Sequence, residues 1–379
     1  MNGKKILIIA YKFYPDNTPR AFRAFELMKE FSKKYEVTIL TKKSFMDLRG
    51  LEIKYNIKIL QIPSGFFLNK DRRFDLNSSI EIKKSRKGKK ILSKIFNYLF
   101  YNREIEFAYN LKKELDKIKD DYDIIISICN PFSSHIGTYL SLKNVKNKKK
   151  VIFDYGDPFF LNPTFKGAFY FKYLEKLVLT VADNIVIPIV EAKKAFSIYP
   201  DSLKKIKVIP QGINLEEIEI ETYKENRKPV FMYAGAFYEN IRNPLLFLKE
   251  ITEIKDDYRF EIYTDLKNLL STKMGLEILK YSRKNKRIIL KDKITREECI
   301  KKMSKMDFLI NIENMGGIQS PSKIIDYGLS KRPVFSFNQK NFNKVKFLKF
   351  LNRDYTNSLE IDLKKYDIEN IVKLFEELF

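Results

Sequence analysis

Lys5-Ile6-Leu7-Ile8-Ile9-Ala10 is the stretch on which the reading of the fold turns. The run is short, apolar and rich in β-branched residues, so it reads as a strand buried on both faces, the kind found inside parallel sheets. After the loop from Tyr11, Thr18 is a candidate N-cap with Pro19 at the first helical position. Ala21, Ala24, Phe25, Met28 and Phe31 then recur at helical spacing, and Val37-Thr38-Ile39-Leu40 supplies the next strand. Strand, helix and strand in that order make a βαβ unit.

Outward from this unit the alternation continues. Strands are expected from Ile57 to Ile62, Ile124 to Ile128, Val151 to Asp154, Asn184 to Ile189 and Lys207 to Ile209. Helices are expected from Ile105 to Lys119, Ser133 to Leu142, Tyr170 to Val181 and Glu191 to Ser197. Beyond Gly212 the chain turns acidic and polar at Glu216, Glu217, Glu219 and Glu221, which reads as a linker. A second series follows: strands Val230 to Ala234, Phe260 to Tyr263, Ile288 to Lys291, Phe308 to Ile312 and Val334 to Phe337, with helices Pro244 to Ile254, Arg296 to Met303 and Pro321 to Leu329. The expected architecture is α/β, with two doubly wound Rossmann-like domains facing a cleft, over 1–217 and 218–355. Ligands of such sheets sit at the carboxyl ends of the strands, so the loops there are the places to search.

Composition bounds the function. Of 379 residues, 44% are hydrophobic and 32% charged, which excludes a disordered or collagenous chain. No window reaches about 18 consecutive apolar residues, so no membrane-spanning helix is expected. The amino-terminal apolar run is too short for a signal peptide. Cys129 and Cys299 stand far apart without metal or redox spacing, which suits a reducing cytosolic location without disulfides. The chain carries 72 Lys and Arg against 48 Asp and Glu, a net charge of +24. Such a surplus invites an anionic partner. It is also what a biased base composition gives, since Lys, Ile and Asn are abundant and Trp is absent.

Two loops of the second half fit phosphate. Strand Val230 to Ala234 runs into Gly235, where backbone can approach a ligand, and on to Arg242, Asn243 as N-cap and Pro244. Arg242 beside a helix start is read either as a diphosphate clamp or as a solvated loop cation. Strand Phe308 to Ile312 runs into Glu313-Asn314-Met315-Gly316-Gly317-Ile318-Gln319 and a helix opened by Ser320 and Pro321. There the Ser322 and Lys323 amides and the Lys323 charge suit phosphate oxygens. Asp326, three residues on, either accepts from ribose hydroxyls or simply pairs with Lys323.

Ser320-Pro321-Ser322-Lys323-Ile324-Ile325-Asp326-Tyr327-Gly328-Leu329-Ser330-Lys331-Arg332-Pro333-Val334 resembles the P-S-K-x-x-E-Y-x-x-x-G-K-P-V segment of family 4 glycosyltransferases, which have the GT-B fold. The segment Lys5 to Pro15 is similar to that family's opening strand and loop. Val208-Ile209-Pro210-Gln211-Gly212-Ile213-Asn214 is similar to its V-I-P-N-G-I-D segment, and Tyr233-Ala234-Gly235 with Arg242 to its donor loop. The matches run in order along nearly the whole chain. The resemblance implies a retaining hexosyltransferase that moves a sugar from a nucleotide-sugar to a glycan or lipid-linked acceptor in cell-surface polysaccharide synthesis. It also implies a cytoplasmic enzyme, peripheral on the inner face of the membrane, with 356–379 as a C-terminal helix returning to the first domain. The donor would be held by Gly235, Arg242, Gly317, Gln319, Ser322, Lys323 and Asp326. No cofactor or metal is required where Arg242 and helix dipoles stabilise the leaving diphosphate.

The sequence departs from the family in three places. The first of the family's two glutamates falls at Ile318 and the second is Asp326. Tyr14-Pro15-Asp16-Asn17-Thr18 replaces a glycine-rich loop. Val151-Ile152-Phe153-Asp154-Tyr155-Gly156-Asp157-Pro158 resembles D-[YF]-R-D-[PL], with Gly156 where the family has Arg.

On the acceptor side, Asp157 is read as a sugar-hydroxyl or proton-transfer group, or else as a loop cap. His135, the only histidine, is read as a catalytic group near the cleft or as a structural side chain. Arg20 and Asp154 are the acceptor-binding candidates. Lys83, Lys84, Arg86, Lys87, Lys89, Lys90 and Lys94 form a basic stretch running into Ile95-Phe96-Asn97-Tyr98-Leu99-Phe100-Tyr101. It is read as a contact with an anionic membrane surface or as a solvated loop before a core helix. No recognition motif for nucleic acid is present. The alternatives are a sugar-nucleotide epimerase on the same fold and a non-catalytic polyanion- or membrane-binding protein.

Overall fold

The computed structural model describes residues 3–16, 18–65, 105–145, 149–162, 167–215, 219–315 and 323–379. The chain divides into two compact units, Met1–Ile213 with Ile368–Phe379, and Asn214–Asp367. The sequence reading places the divisions at 217/218 and 355/356. The later second division has a physical reason. Leu359 donates its amide to the Val334 carbonyl, and the Ser358 hydroxyl accepts from the Val334 amide, so this segment is sewn to a strand of the second unit.

The first unit is a seven-stranded sheet in the order β3-β2-β1-β4-β5-β6-β7. Its strands are β1 Lys5–Ala10, β2 Glu36–Lys42, β3 Lys58–Ile62, β4 Ile124–Ile128, β5 Lys150–Asp154, β6 Asn184–Ile187 and β7 Ile206–Val208. Every pairing is parallel, with Ile6 opposite Val37 on one side and Ile124 on the other. Ile6 to Ala10 and all of β4 are buried, as helices cover both faces of the sheet. Among the described residues before Asn214, its helices of seven or more residues are α1 Pro19–Phe31, α2 Arg49–Tyr55, α3 Ile105–Ile118, α4 Ser133–Leu142 and α5 Phe171–Val178. Thr18 caps α1 by accepting from the Ala21 amide at 3.3 Å, and Pro19 opens its first turn.

The second unit is a five-stranded parallel sheet in the order β10-β9-β8-β11-β12. Here β8 is Val230–Ala234, β9 Arg259–Thr264, β10 Ile288–Asp292, β11 Phe308–Ile312 and β12 Val334–Phe337. The helices of seven or more residues among the described residues of this unit are α6 Leu245–Thr252, α7 Lys273–Lys284, α8 Arg296–Met303, α9 Lys323–Leu329 and α10 Lys344–Leu351. An aromatic core of Phe231, Phe247, Phe260, Phe308, Phe335, Phe347 and Phe350 fills one face.

The last helix, α11 Ile368–Glu376, belongs to the first unit. Ile368, Ile371, Val372 and Phe375 join Leu27, Met28 and Phe31 of α1 in one buried cluster. At about 1.5–3 kcal/mol for each large side chain taken from water, this contact is a main anchor of the carboxyl terminus.

Each sheet has one point where the winding reverses, between β1 and β4 in the first unit and between β8 and β11 in the second. Those are the positions at which loops diverge and leave room for a ligand.

Candidate functional site

In the second unit the loops leaving β8 and β11 are bound to one another. Gly235, the first residue past β8, has φ +151°, a conformation suited to glycine. The loop then folds back as the Tyr238 and Arg242 backbones pair. Arg242 Nε donates to Asn314 Oδ1 at 2.9 Å, and the Met315 amide donates to the Ile241 carbonyl at 2.8 Å. Asn243 Oδ1 takes the Leu245 amide at 3.0 Å, so α6 starts one residue later than the expected Pro244.

α8 and α9, the helices before and after β11 in the chain, share a charge cluster. Asp326 on α9 is buried, with both carboxylate oxygens occupied. Arg296, at the start of α8, places Nε 2.8 Å and Nη2 2.7 Å from Oδ1, while Lys323 Nζ lies 3.0 Å from Oδ2. The Lys323–Asp326 pair, one of the two readings the sequence allowed, is therefore part of a triad. The buried Tyr327 hydroxyl donates to the Ile310 carbonyl at 3.0 Å. Burial pushes its pKa well up, and the charges of Arg242 and Asp326 both act on it. Cys299, beneath the triad, is pushed up to about 11 by burial and so stays a thiol.

In the first unit the ends of β4 and β5 converge on α1. Arg20 Nε donates to the Cys129 carbonyl at 2.6 Å, and Nη2 reaches the Asp154 carbonyl at 3.0 Å and Oδ2 at 2.9 Å. Arg23, fully buried, holds Asp154 Oδ2 through Nε at 2.9 Å. It also donates to the Pro210 and Ile209 carbonyls and lies 5.0 Å from the Phe375 ring centre. Burial alone would raise the Asp154 pKa, but Arg20 and Arg23 outweigh it and hold the carboxyl below its ordinary range. A Cβ on Gly156 would meet Arg20 Cδ at 2.9 Å. The Arg20 side chain thus fills the space beside the position at which the resembling family carries its own arginine.

His135 is fully buried on α4. Its ring stacks on Phe153 with centroids 4.3 Å apart, and Nδ1 lies 2.9 Å from the Ser127 hydroxyl. Nε2 has no hydrogen-bond partner among the described residues. Burial lowers its pKa to about 3, so the ring is neutral at ordinary pH. Asp157 is half-buried just past β5. Glu175 of α5 secures the segment after it, accepting from the Phe159 amide at 3.3 Å, the Phe160 amide at 3.0 Å and the Tyr199 hydroxyl at 2.8 Å. Burial raises the Glu175 pKa to about 7.

No protein-family model matches the chain, and no curated protein matches it. Solved structures match nearly all of it. Sucrose-phosphate synthase from Thermosynechococcus elongatus aligns with a TM-score of 0.66 at 11% identity, over 99% of this chain and 98% of that one. A glycosyltransferase from Rickettsia africae aligns at 0.64 and 12% identity, over 100% and 98%. HepE of Anabaena, solved in complex with UDP-glucose, aligns at 0.63 and 10% identity, over 99% of both chains. The fold is GT-B. A Listeria monocytogenes protein assigned as a UDP-N-acetylglucosamine 2-epimerase also aligns, at 0.51 and 11% identity, over 100% and 97%. The GT-B fold by itself therefore does not choose between transfer and epimerisation.

Within this GT-B chain, Gly235, Arg242, Lys323 and Asp326 lie at the carboxyl side of the second sheet, and Arg20, His135, Asp154 and Asp157 at that of the first. Gly317, Gln319 and Ser322 lie outside the described residues, as do Lys83, Lys84, Arg86, Lys87, Lys89, Lys90 and Lys94. Arg296, Asn314, Arg23 and Glu175 escaped the sequence reading. Arg296 carried a signal, because a cation in the first turn opposes the helix dipole and so invites another explanation. Among the described residues no cluster of three or more His, Cys, Asp or Glu could hold a metal ion, and no helix is long and apolar enough to cross a membrane.

Proposed function

We propose that the protein is a retaining family 4 glycosyltransferase. It moves a hexosyl group from a nucleotide-sugar to a glycan or lipid-linked acceptor in cell-surface polysaccharide synthesis, at the inner face of the membrane. The observation that carries this reading is the junction of Arg242 with Asn314, which holds a guanidinium at the winding reversal of the second sheet, whose flanking helices α8 and α9 carry the Arg296–Asp326–Lys323 triad. Departure of the sugar leaves the bonding electron pair on the diphosphate and positive charge on the ring. Fixed cations at the diphosphate lower that barrier. Arg242 and Lys323 take the diphosphate in this reading, and Asp326, oriented by Arg296, accepts from the ribose.

On the acceptor side, Asp157 receives the hydroxyl proton as the new glycosidic bond forms. His135, neutral and fully buried against Phe153, acts from behind the acceptor loops through its contact with Ser127 and does not touch the acceptor. Arg20 and Asp154 shape the loop ends that meet the acceptor.

A panel of UDP- and GDP-sugars tests the proposal. One donor should raise the melting temperature and release its nucleoside diphosphate, and Arg242→Ala should abolish both effects. Conversion of the sugar while still attached to its nucleotide, with no acceptor, would instead favour the epimerase. Stabilisation by no nucleotide, together with steeply salt-dependent polyanion binding, would favour the binding protein.

A further inference from the structure

α5 and the turn that leads into it present apolar side chains both inward and outward. Phe171 and Val178 are buried, yet Phe169 is 77% exposed, Tyr173 61% and Leu177 52%, with Tyr170 beside them. At 3.6 residues per turn, positions 173, 176 and 177 of α5 share one side, flanked by 170 and 172, and Phe169 stands in the turn just before the helix. This side also carries exposed Lys176 and half-buried Lys172. The single acid between residues 167 and 180 is Glu175, which points inward to the Phe159 and Phe160 amides. A surface helix ordinarily turns polar residues outward. This one, together with the turn before it, turns out two tyrosines, a phenylalanine, a leucine and two lysines, without an anion.

We propose that this face docks on an anionic lipid surface. Aromatic and aliphatic side chains of this kind settle at the boundary between headgroups and acyl chains, and lysines at the margin meet lipid phosphates. Charge selects the lipid over a second copy of the chain. Two-fold pairing of this face would enclose Lys172 and Lys176 of both copies with no acid on the face to meet them, on a protein whose net charge is +24. Glu175 fastens the same helix to the segment that follows Asp157, so docking would bring the candidate acceptor residues close to the lipid. That the acceptor is lipid-linked rests on the transferase reading; the docking does not.

Flotation of the full chain with vesicles tests the surface. With phosphatidylglycerol and phosphatidylcholine in equal parts the protein should float, and with phosphatidylcholine alone it should stay in solution. Phe169→Ser/Tyr173→Ser/Leu177→Ser should weaken partitioning at least tenfold, and Lys176→Glu about fivefold or more. Lys172→Glu/Lys176→Glu alters only charge on this side and reads the same surface should the triple variant fold poorly. Thermal stabilisation by nucleotide-sugar, measured in parallel, reports the donor site separately and should survive the substitutions. Failure of the wild type to float on either vesicle, or flotation unchanged in both sets of variants, would overturn the proposal. So would a wild-type dimer, insensitive to vesicles, that the triple variant converts to monomer.

Discussion

Arg242 and Asn314 are joined by a 2.9 Å hydrogen bond, with the guanidinium Nε donating to the amide oxygen. The bond ties the loop after β8 to the loop after β11, and these strands are neighbours in the sheet. A flexible cation is thereby held in one orientation, which lowers the ordering cost of meeting an anion.

Asn314→Ala should keep the charge of Arg242 but release its direction. Nucleoside diphosphate affinity should fall about threefold to tenfold, the worth of one ordinary hydrogen bond. Titration calorimetry checks this, and unchanged affinity would mean that the bond serves only the loops.

Arg296→Ala removes the partner that makes two contacts with buried Asp326, leaving Lys323 alone with the carboxylate. Stability should fall by about 2 kcal/mol, as expected for an under-partnered buried charge. Urea denaturation measures it. Arg296→Lys should recover part of the loss, since an ammonium restores charge without the two-pronged geometry.

Gly156 and Arg20 should be coupled. A methyl group at position 156 collides with Arg20 Cδ at 2.9 Å, so Gly156→Ala should destabilise by about 1 kcal/mol through displacement of that side chain. In an Arg20→Ala background the same substitution should be nearly neutral. A double-mutant cycle of melting temperatures reads the difference.

Glu175 gives a pH dependence whose sign can be worked out. Burial raises its pKa from 4.5 to about 7 on folding. The fold favours the protonated acid, so this contribution is complete below 4.5 and is lost as pH rises through about 7. Its size is about 3 kcal/mol, because each tenfold change in proton affinity is worth about 1.4 kcal/mol. His135 runs the other way, with a contribution complete above 6.5 and lost as pH falls toward about 3. Glu175→Gln isolates the first. Relative to wild type the variant should gain stability between about pH 5 and pH 8, by up to about 3 kcal/mol. An equal difference in urea midpoint at both pH values would show that Glu175 does not titrate in this range.

The two sheets were legible because their central strands are buried on both faces. Ile6 to Ile9 and Ile124 to Ile128 announce themselves as short runs dominated by isoleucine. Helices lacking such contrast were harder: Arg49–Tyr55 has no side-chain cap and buries none of its residues, and Lys344–Leu351 alternates Lys with large apolar residues. At the site, Arg242 and Asp326 were legible from the strand-to-helix loops that carry them. Their partners were not, since Asn314 lies 72 residues from Arg242 and Arg296 lies 30 from Asp326. Pairings of that separation exist only once the sheet order is fixed. Arg23 was hidden for a different reason: an arginine inside a helix reads as solvated, and only the folded chain brings Asp154 and two carbonyls around it.

The most direct measurement is calorimetric titration of the wild type and Arg242→Ala with UDP and with GDP at moderate salt. The wild type should bind one of them at a single site, and Arg242→Ala should weaken that binding about 10- to 100-fold, the range for a charge-assisted contact. Absence of binding to either nucleotide, or equal affinity in the two proteins, would contradict the assignment of a donor diphosphate to Arg242.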